Sequence, residues 1–324
     1  MLFRSVMDYR LPNGSVNFTN FASQVETKII NRSEVFNINN NERQYTTADS
    51  KTELTIMTNA LTLKQDWNRF HVNALLSHSY SENNTPKSIE LSFSERSAFT
   101  SVSGAEQSKL ENIQDFTKND LDNTFISRLN SSYNTNEETD IAGQLDLQYD
   151  IHPLIWLSGS VKMGGKYRHK SRSYDHNEVF GPISWGGEQP LRDSILTTFP
   201  WMQEIAPLGT YEMPYALFYD NNYTNDNFFD GKYNLGPVAD VDLLNGAYNA
   251  IEDFAYHHAT NNKKDDYEGT EDYSAAYIMS ELNFGSLVTF IPGVRYERNR
   301  TEYTGIRGDA RSEEHTSELQ SLLI

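Results

Sequence analysis

The chain of 324 residues contains no cysteine. That removes disulfides and thiolate metal centres from consideration, and it is compatible with an oxidising envelope compartment. Long apolar runs are missing too: no stretch approaches the ~18 residues that a membrane-spanning helix needs. Apolar residues make up 37% and the mean hydropathy is −0.64. Those values read as soluble, but the reading does not extend to β-barrels, whose strands need only ~10 residues with alternate ones apolar. Positive charge is scarce, with 27 Lys and Arg against 45 Asp and Glu, for a formal net charge of −18. Such a surface repels nucleic acid, so no nucleic-acid partner is expected.

Motifs that carry chemistry are absent as well. The sequence has no G-x-S-x-G, no H-E-x-x-H and no phosphate-cradling loop. Gly164-Gly165-Lys166 falls inside a predicted strand, and the adjacent His257 and His258 would point about 100° apart on a helix, which is unsuited to holding one ion. No catalytic residue, metal site or cofactor is expected, and the chain is not expected to be an enzyme. The first ten residues lack the apolar core of a signal peptide, so an envelope protein with this sequence would begin further upstream.

What is abundant is aromatic surface, 12% of residues, with 19 Tyr and 17 Phe. Apolar residues recur with period two. Ala276, Ile278, Ser280, Leu282 and Phe284 alternate with Tyr277, Met279, Glu281 and Asn283; after Gly285-Ser286-Leu287, Val288, Phe290, Val294 and Tyr296 alternate with Thr289, Gly293, Arg295 and Glu297. A three-residue loop sets Phe284 opposite Val288, Leu282 opposite Phe290 and Ile278 opposite Val294. A second hairpin turns at 151–154, with Leu145, Leu147 and Tyr149 on one arm and Ile155, Leu157, Val161, Met163 and Tyr167 on the other. Two more flank Asp66-Trp67-Asn68 and Pro12-Asn13, with Gly14 expected at positive φ. Leu54 and Ile56 are out of phase with Leu61 and Leu63, which predicts a β-bulge within 54–63.

Eight strands follow. Their connections alternate strictly between short (12–13, 66–68, 151–154, 285–287) and long (about 27–50, 82–137, 172–271). An outer-membrane barrel requires this pattern, with short turns inside the cell envelope and long loops outside. Within the long loops, spacing predicts helix in parts of 105–132 (Leu110, Ile113, Phe116; Phe125, Ile126, Leu129) and over 241–258. Residues 311–321, RSEEHTSELQS, resemble the translation of a common sequencing adapter. The chain therefore divides into a barrel segment, 1–310, and a read-through tail, 311–324.

Several segments resemble one family. Tyr277-Ile-Met-Ser-Glu-Leu-Asn-Phe-Gly285, with Phe290-Ile-Pro-Gly-Val-Arg-Tyr-Glu297 and Tyr303, is similar to the barrel hairpin of TonB-dependent outer-membrane receptors. Leu11-Pro-Asn-Gly-Ser-Val-Asn-Phe18 and Phe229-Asp-Gly-Lys-Tyr-Asn-Leu-Gly-Pro237 resemble members with a carboxypeptidase-like regulatory domain. The resemblance implies an all-β fold, a partial transmembrane antiparallel barrel (about eight strands of a 22-stranded whole) with long extracellular loops containing short helices. It implies location in the bacterial outer membrane, contact with its lipid, coupling to the TonB complex through an N-terminal region, and uptake of a large scarce extracellular ligand such as a ferric siderophore, cobalamin or glycan. No plug domain or TonB box is found in the sequence. A passive porin and a soluble all-β adhesion protein are the competing readings.

Candidate ligand contacts are the loop aromatics Trp185, Trp201, Tyr211, Tyr215, Tyr219, Tyr223 and Tyr233, because flat rings with a hydroxyl suit sugars and catecholates. Packing among loop aromatics is the simpler account of them. Asp220, Asp226 and Asp230 could gather Ca²⁺ but also read as a solvated acidic loop. Tyr277, Glu281, Arg295 and Glu297 are expected to face the lumen, as ligand or plug contacts or as a polar ladder stiffening the wall.

Overall fold

The computed structural model describes residues 1–154, 156–180, 189–223, 228, 230–233, 236–254, 256–257, 263–307 and 310–323. The strands are β1 (Leu2–Leu11), β2 (Gly14–Asn37), β3 (Glu42–Trp67), β4 (Phe70–Arg96), β5 (Thr124–Leu154), β6 (Leu157–Phe180), β7 (Tyr256–His257), β8 (Tyr267–Phe284), β9 (Val288–Phe290), β10 (Gly293–Arg307) and β11 (Ala310–Leu323). Helices α1 (Val102–Gln107), α2 (Gln189–Thr198) and α3 (Val241–Ile251) lie in the connections. The sheet is an antiparallel meander, β1-β2-β3-β4-β5-β6-β8-β10-β11, with β7 on β6 and β9 on β8. It is open, with β1 and β11 as its edges.

The hairpin registers are those the side-chain pattern selects: Phe284 pairs with Val288, Leu282 with Phe290 and Ile278 with Val294. At the first turn Asn13 takes positive φ (62°) rather than Gly14. Gly14 is needed for another reason, since a Cβ there would run into the Lys64 carbonyl of β3.

The strands are far longer than hydrophobic periodicity indicates; β5 runs for 31 residues. The connections expected at 27–50, 82–137 and 172–271 shrink to 38–41, 97–123 and 181–266. Nearly all of 27–50, about half of 82–137 and the two ends of 172–271 are strand, rich in Thr, Ser, Asn and Glu. The expected helix at 125–129 is strand as well. A bulge between Arg128 and Ile126 on β5 puts Ile126 and Leu129 on one face, which imitates helical spacing. No bulge interrupts 54–63. The register shift lies between Lys51 and Glu53, with the extra residue on β4 between Thr85 and Ser88, where Pro86 is accommodated. Leu54 and Ile56 belong to the opposite face from Leu61 and Leu63.

Strict register defines two faces. One row reads Tyr9, Val16, Leu63, Ala74, Leu145, Gly165, Ala276, Tyr296 across eight strands, and the next reads Leu11, Gly14, Gln65, Val72, Leu147, Met163, Ile278, Val294. Gln65 apart, this face has no protein cover: Leu145 and Ile278 are each 47% exposed, and Leu76, one row higher, is 60% exposed. From Ile141 to Ile151 on β5 the apolar band spans about 33 Å along the strand, or about 25 Å once strands tilt by ~40°, the thickness of a bilayer core. Trp67, Phe70, Tyr149 and Phe284 rim one end and Tyr167 the other, as interfacial aromatic girdles do. Burying this surface in water would need a partner sheet, and none is present among the described residues.

At the band's upper edge the same face turns polar, Ile141 sharing its row with Asn20, Asn59, His78, His169, Asp272 and Arg300. Higher still it becomes apolar again, and here it is covered. Tyr45, Ile89, Leu91, Phe93, Ile126 and Leu129 pack against Leu191 and Ile195 of α2 and Leu244, Ala247, Tyr248 and Ile251 of α3. The Asp240 carboxylate caps α3 by accepting from the N–H groups of Asp242 and Leu243. Tyr45 lies 16 residues from Leu61 on an unbroken β2–β3 register. This cap core is therefore about 50 Å along the strand from the upper band, yet on the same side of the wall.

Candidate functional site

The polar face of β5–β10 gathers the charged groups. Lys162, Lys166, Arg168, Lys170 and Arg172 alternate along β6, between the acids Glu138, Asp140, Asp146 and Asp150 of β5 and Glu271 and Glu281 of β8. Cross-strand pairs result: Arg168–Asp140 at 2.5 Å, Lys170–Glu138 at 2.8 Å and Arg172 Nε donating to Glu138 at 3.0 Å. Each such pair contributes ~0.2–1 kcal/mol, and together they fix register more than they add stability.

Tyr277, Glu281, Arg295 and Glu297 all lie on this face, opposite Ile278, Leu282, Val294 and Tyr296. Tyr277 reaches across β6 to donate to Asp146 at 2.9 Å. It can do so because Gly164 stands between them, where a Cβ would collide with both groups. Arg295 pairs with Glu297 and donates to the Tyr273 hydroxyl at 3.1 Å. Higher on the face, four rings from three strands touch in sequence. His176 stacks on Tyr174 (6.4 Å), Tyr174 on Tyr267 (5.9 Å), and Tyr267 meets Tyr303 (6.1 Å). Tyr303 lies over Gly269 and donates to Glu271 at 2.8 Å. Sequence reasoning missed this strip. Its only signal was aromatic residues at polar-face parity, and their juxtaposition depends on register across β6, β8 and β10.

The loop aromatics fare differently from one another. Trp185 lies outside the described residues. Tyr215 is buried in the cap core against Phe93 (4.3 Å), and its hydroxyl donates to the Pro237 carbonyl. Tyr219 is half-buried and bridges to Ala239. Arg32 sits 4.3 Å above the Tyr223 ring. Trp201 and Tyr211 are about half exposed on the cap surface. Tyr233 lines a cleft of about 760 Å³ with Phe228, Phe36, Leu110, Arg32 and Asp115. Among the described residues, the other six are not gathered in one site. Asp226 and His258 also lie outside the described residues, and the backbone of His257 pairs opposite Val179.

A buried cation ties the strand tips to the cap. Arg43, 1% exposed, pairs with Glu34 and Asn119 and donates to Thr117 Oγ1 at 3.2 Å. Glu34 in turn accepts from the Gly236 N–H at 2.9 Å, so a single guanidinium joins the β2–β3 tip to two loops. Burial raises the pKa of Tyr45 and Tyr215 well above the ordinary phenol value. It also raises Glu95, whose carboxylate accepts the Asp120 N–H at 3.0 Å.

Comparison with known proteins adds the following. No curated protein sequence matches the chain. The siderophore receptor PiuA from Acinetobacter baumannii aligns with 9% identity and a TM-score of 0.37, over 99% of this chain and 40% of the other. The ferric-catecholate import receptor Fiu from E. coli K12 aligns with 8% identity and a TM-score of 0.29, over 99% and 45%. The chain thus spans less than half the length of either. Residues 92–318 match the family described as TonB dependent receptor-like, beta-barrel. With that match over most of the chain, on a wall carrying one lipid-facing band and one charged face, the chain belongs to the TonB-dependent receptor β-barrel family.

Proposed function

We propose that the chain forms part of the wall and the outer cap of a receptor in the bacterial outer membrane, which imports a large, scarce ligand using energy relayed by the TonB complex. The observation that carries this is the pairing of the two faces: a bare apolar band of bilayer height backs onto an ion-paired face that, among the described residues, has no apolar core of its own. A soluble adhesion domain would leave that band in water at a cost of ~25 cal/mol per Å². A plug domain, which separates an active transporter from a passive porin, belongs to the remainder of such a receptor. Within the cap, Trp201, Tyr211, Tyr223 and Tyr233 are the aromatics available for first contact with ligand; Tyr215 serves the core.

Residues 311–324 are proposed to be read-through. The likeness of RSEEHTSELQS to a sequencing adapter supports this. Main-chain pairing at an open edge accepts almost any sequence.

The test is to recover the full reading frame from the source DNA and delete the gene. Loss of uptake that a protonophore reproduces in the parent strain is the expected result. Uptake indifferent to the proton-motive force would identify a porin instead.

A further inference from the structure

We infer that a patch on the outward, apolar side of the wall, centred on Arg298, holds the phosphate of a membrane lipid's head group. The inference rests on the reading of that side as lipid-facing and goes further by naming a site and the chemistry it binds.

Three observations carry it. First, a charge stands in the apolar band. The row that holds Leu61 and Leu76 continues through Gly143, Tyr167 and Ser274 to Arg298. Arg298 is exposed there, as Leu76 is. A cation on a lipid face is costly in the hydrocarbon and close to neutral at the head groups, which a guanidinium in the top apolar row reaches by extending upward. Second, Arg298 has no acidic partner among the described residues. Of the two arginines that β10 turns to this side, Arg300 pairs with Glu302 at 3.2 Å. The acid of the next row, Asp272, is already engaged, accepting from His169 Nδ1 and from the Tyr167 hydroxyl, each at 2.8 Å. Glu302 and Asp272 thus offset Arg300 and a protonated His169, and the charge left over is on Arg298. Third, the surrounding groups suit one oxyanion attached to an apolar body. Arg298, Ser274 and Tyr167 lie side by side on β10, β8 and β6, with Arg300, Asp272 and His169 one row above them. Two guanidiniums about 7 Å apart along β10 and the small Ser274 hydroxyl on the next strand present donors to the oxygens of a single phosphate, which Arg matches with paired N–H groups. The rows below are apolar and bare, so acyl chains continue from the phosphate onto the band. At the other end of the polar row stand Asn20, Asn59 and His78, with no Lys or Arg, so the patch is local to β6–β10. A phosphorylated lipid satisfies the charge and the band together, and free phosphate only the first.

The test uses the full-length receptor, solubilised in detergent, with bound lipid counted by native mass spectrometry. Its probes are bisphosphorylated lipid A, the same lipid with both phosphates removed, and inorganic phosphate. The phosphorylated lipid is expected to bind about tenfold more tightly than the dephosphorylated one. Arg298→Gln should abolish that preference, Arg298→Lys should keep part of it, and Leu76→Ala, in the same row on β4, should leave it unchanged. Heat-modifiable gel mobility reports whether each variant has folded; should Arg298→Gln fail it, Arg300→Gln, expected to weaken the preference about threefold, is read in its place. Equal binding of the two lipids by the parent, or a preference that survives Arg298→Gln, overturns the patch. Displacement of the lipid by inorganic phosphate would assign the site to free phosphate instead. In intact membranes a photo-crosslinking residue in place of Tyr296 is expected to capture lipid, and capture of a protein there overturns lipid as the occupant. A receptor that stays in solution without detergent would remove the lipid-facing reading itself. Energised uptake is measured separately. Arg298-dependent lipid binding without it would leave the patch standing and sink the transport reading, while energised uptake by a receptor indifferent to lipid phosphate would do the reverse.

Discussion

Two tiers of apolar residues occupy the same face of the same sheet, and they are buried by different means. In the lower tier Leu61, Leu76, Leu145, Met163 and Ile278 project from the wall with no protein over them. In the upper tier Tyr45, Ile89, Leu91 and Phe93 are 2% exposed or less, closed over by α2, α3 and the aromatic turn around Tyr215. Three or more rows of polar residues separate the tiers, wide enough to clear the head-group zone. On the proposed reading the lower tier is solvated by lipid tails, which accept any apolar shape, whereas the upper tier is in water and must find a close-packed protein cover. A further consequence follows from the bulge on β4. By shifting its phase, it keeps Ile89, Leu91 and Phe93 on the side of Leu76. The cap is thereby held on the outward side of the wall, and the charged face with its ring strip stays uncovered by it.

The difference predicts opposite responses to substitution. Phe93→Ala, which removes a ring in contact with Tyr215 and Phe218, should cost about 3–5 kcal/mol and open the cap to protease; proteolysis of the receptor in intact outer membranes reads this directly. Arg43→Ala leaves Glu34 buried without its partner and should cost about 3–5 kcal/mol, again confined to the cap. Leu145→Arg in the band should destabilise by about 2–4 kcal/mol in a folding titration into bilayers. Leu76→Ala in the same band should cost under ~1 kcal/mol, because lipid fills the space. If Leu76→Ala proved as damaging as Phe93→Ala, the band would be a protein interface and the lipid assignment would fall. The smallest effect is on pH. Burial raises the folded-state pKa of Glu95, so the folded form holds its proton more tightly than the unfolded chain does. Its contribution to cap stability is therefore greatest at low pH and declines as pH rises from the ordinary carboxylate range through that raised value. Glu95→Gln should flatten the slope of cap melting against pH, and an unchanged slope would assign it to another group.

Much of the wall was legible in the sequence. Alternation of Leu145, Leu147 and Tyr149, and of Ile278, Leu282 and Phe284, marks strands that face lipid, and three-residue turn geometry fixes how the last pair meet. The signal stopped where the lipid stops. From Glu26 to Asn31 both faces of the strand are exposed, and from Glu42 to Ser50 the face that the cap buries is itself largely polar (Arg43, Thr47), so no apolar period survives and both stretches read as loop. At Ile126 and Leu129 a bulge produced a helical spacing inside a strand. Among the candidate site residues, Tyr277, Glu281, Arg295 and Glu297 could be placed on the polar face by parity alone, whereas the loop tyrosines carried no period to separate the buried Tyr215 from the exposed Tyr211.

The sequence by itself determined that this is a β-wall with one greasy and one charged side, because period-two alternation and a bilayer's thickness are local facts about consecutive residues. Tertiary structure decided the rest. Which face the cap covers depends on a one-residue bulge. Whether a tyrosine is core or surface depends on what folds over it, and four rings become one strip only when three strands, separated in sequence by scores of residues, settle into a single register.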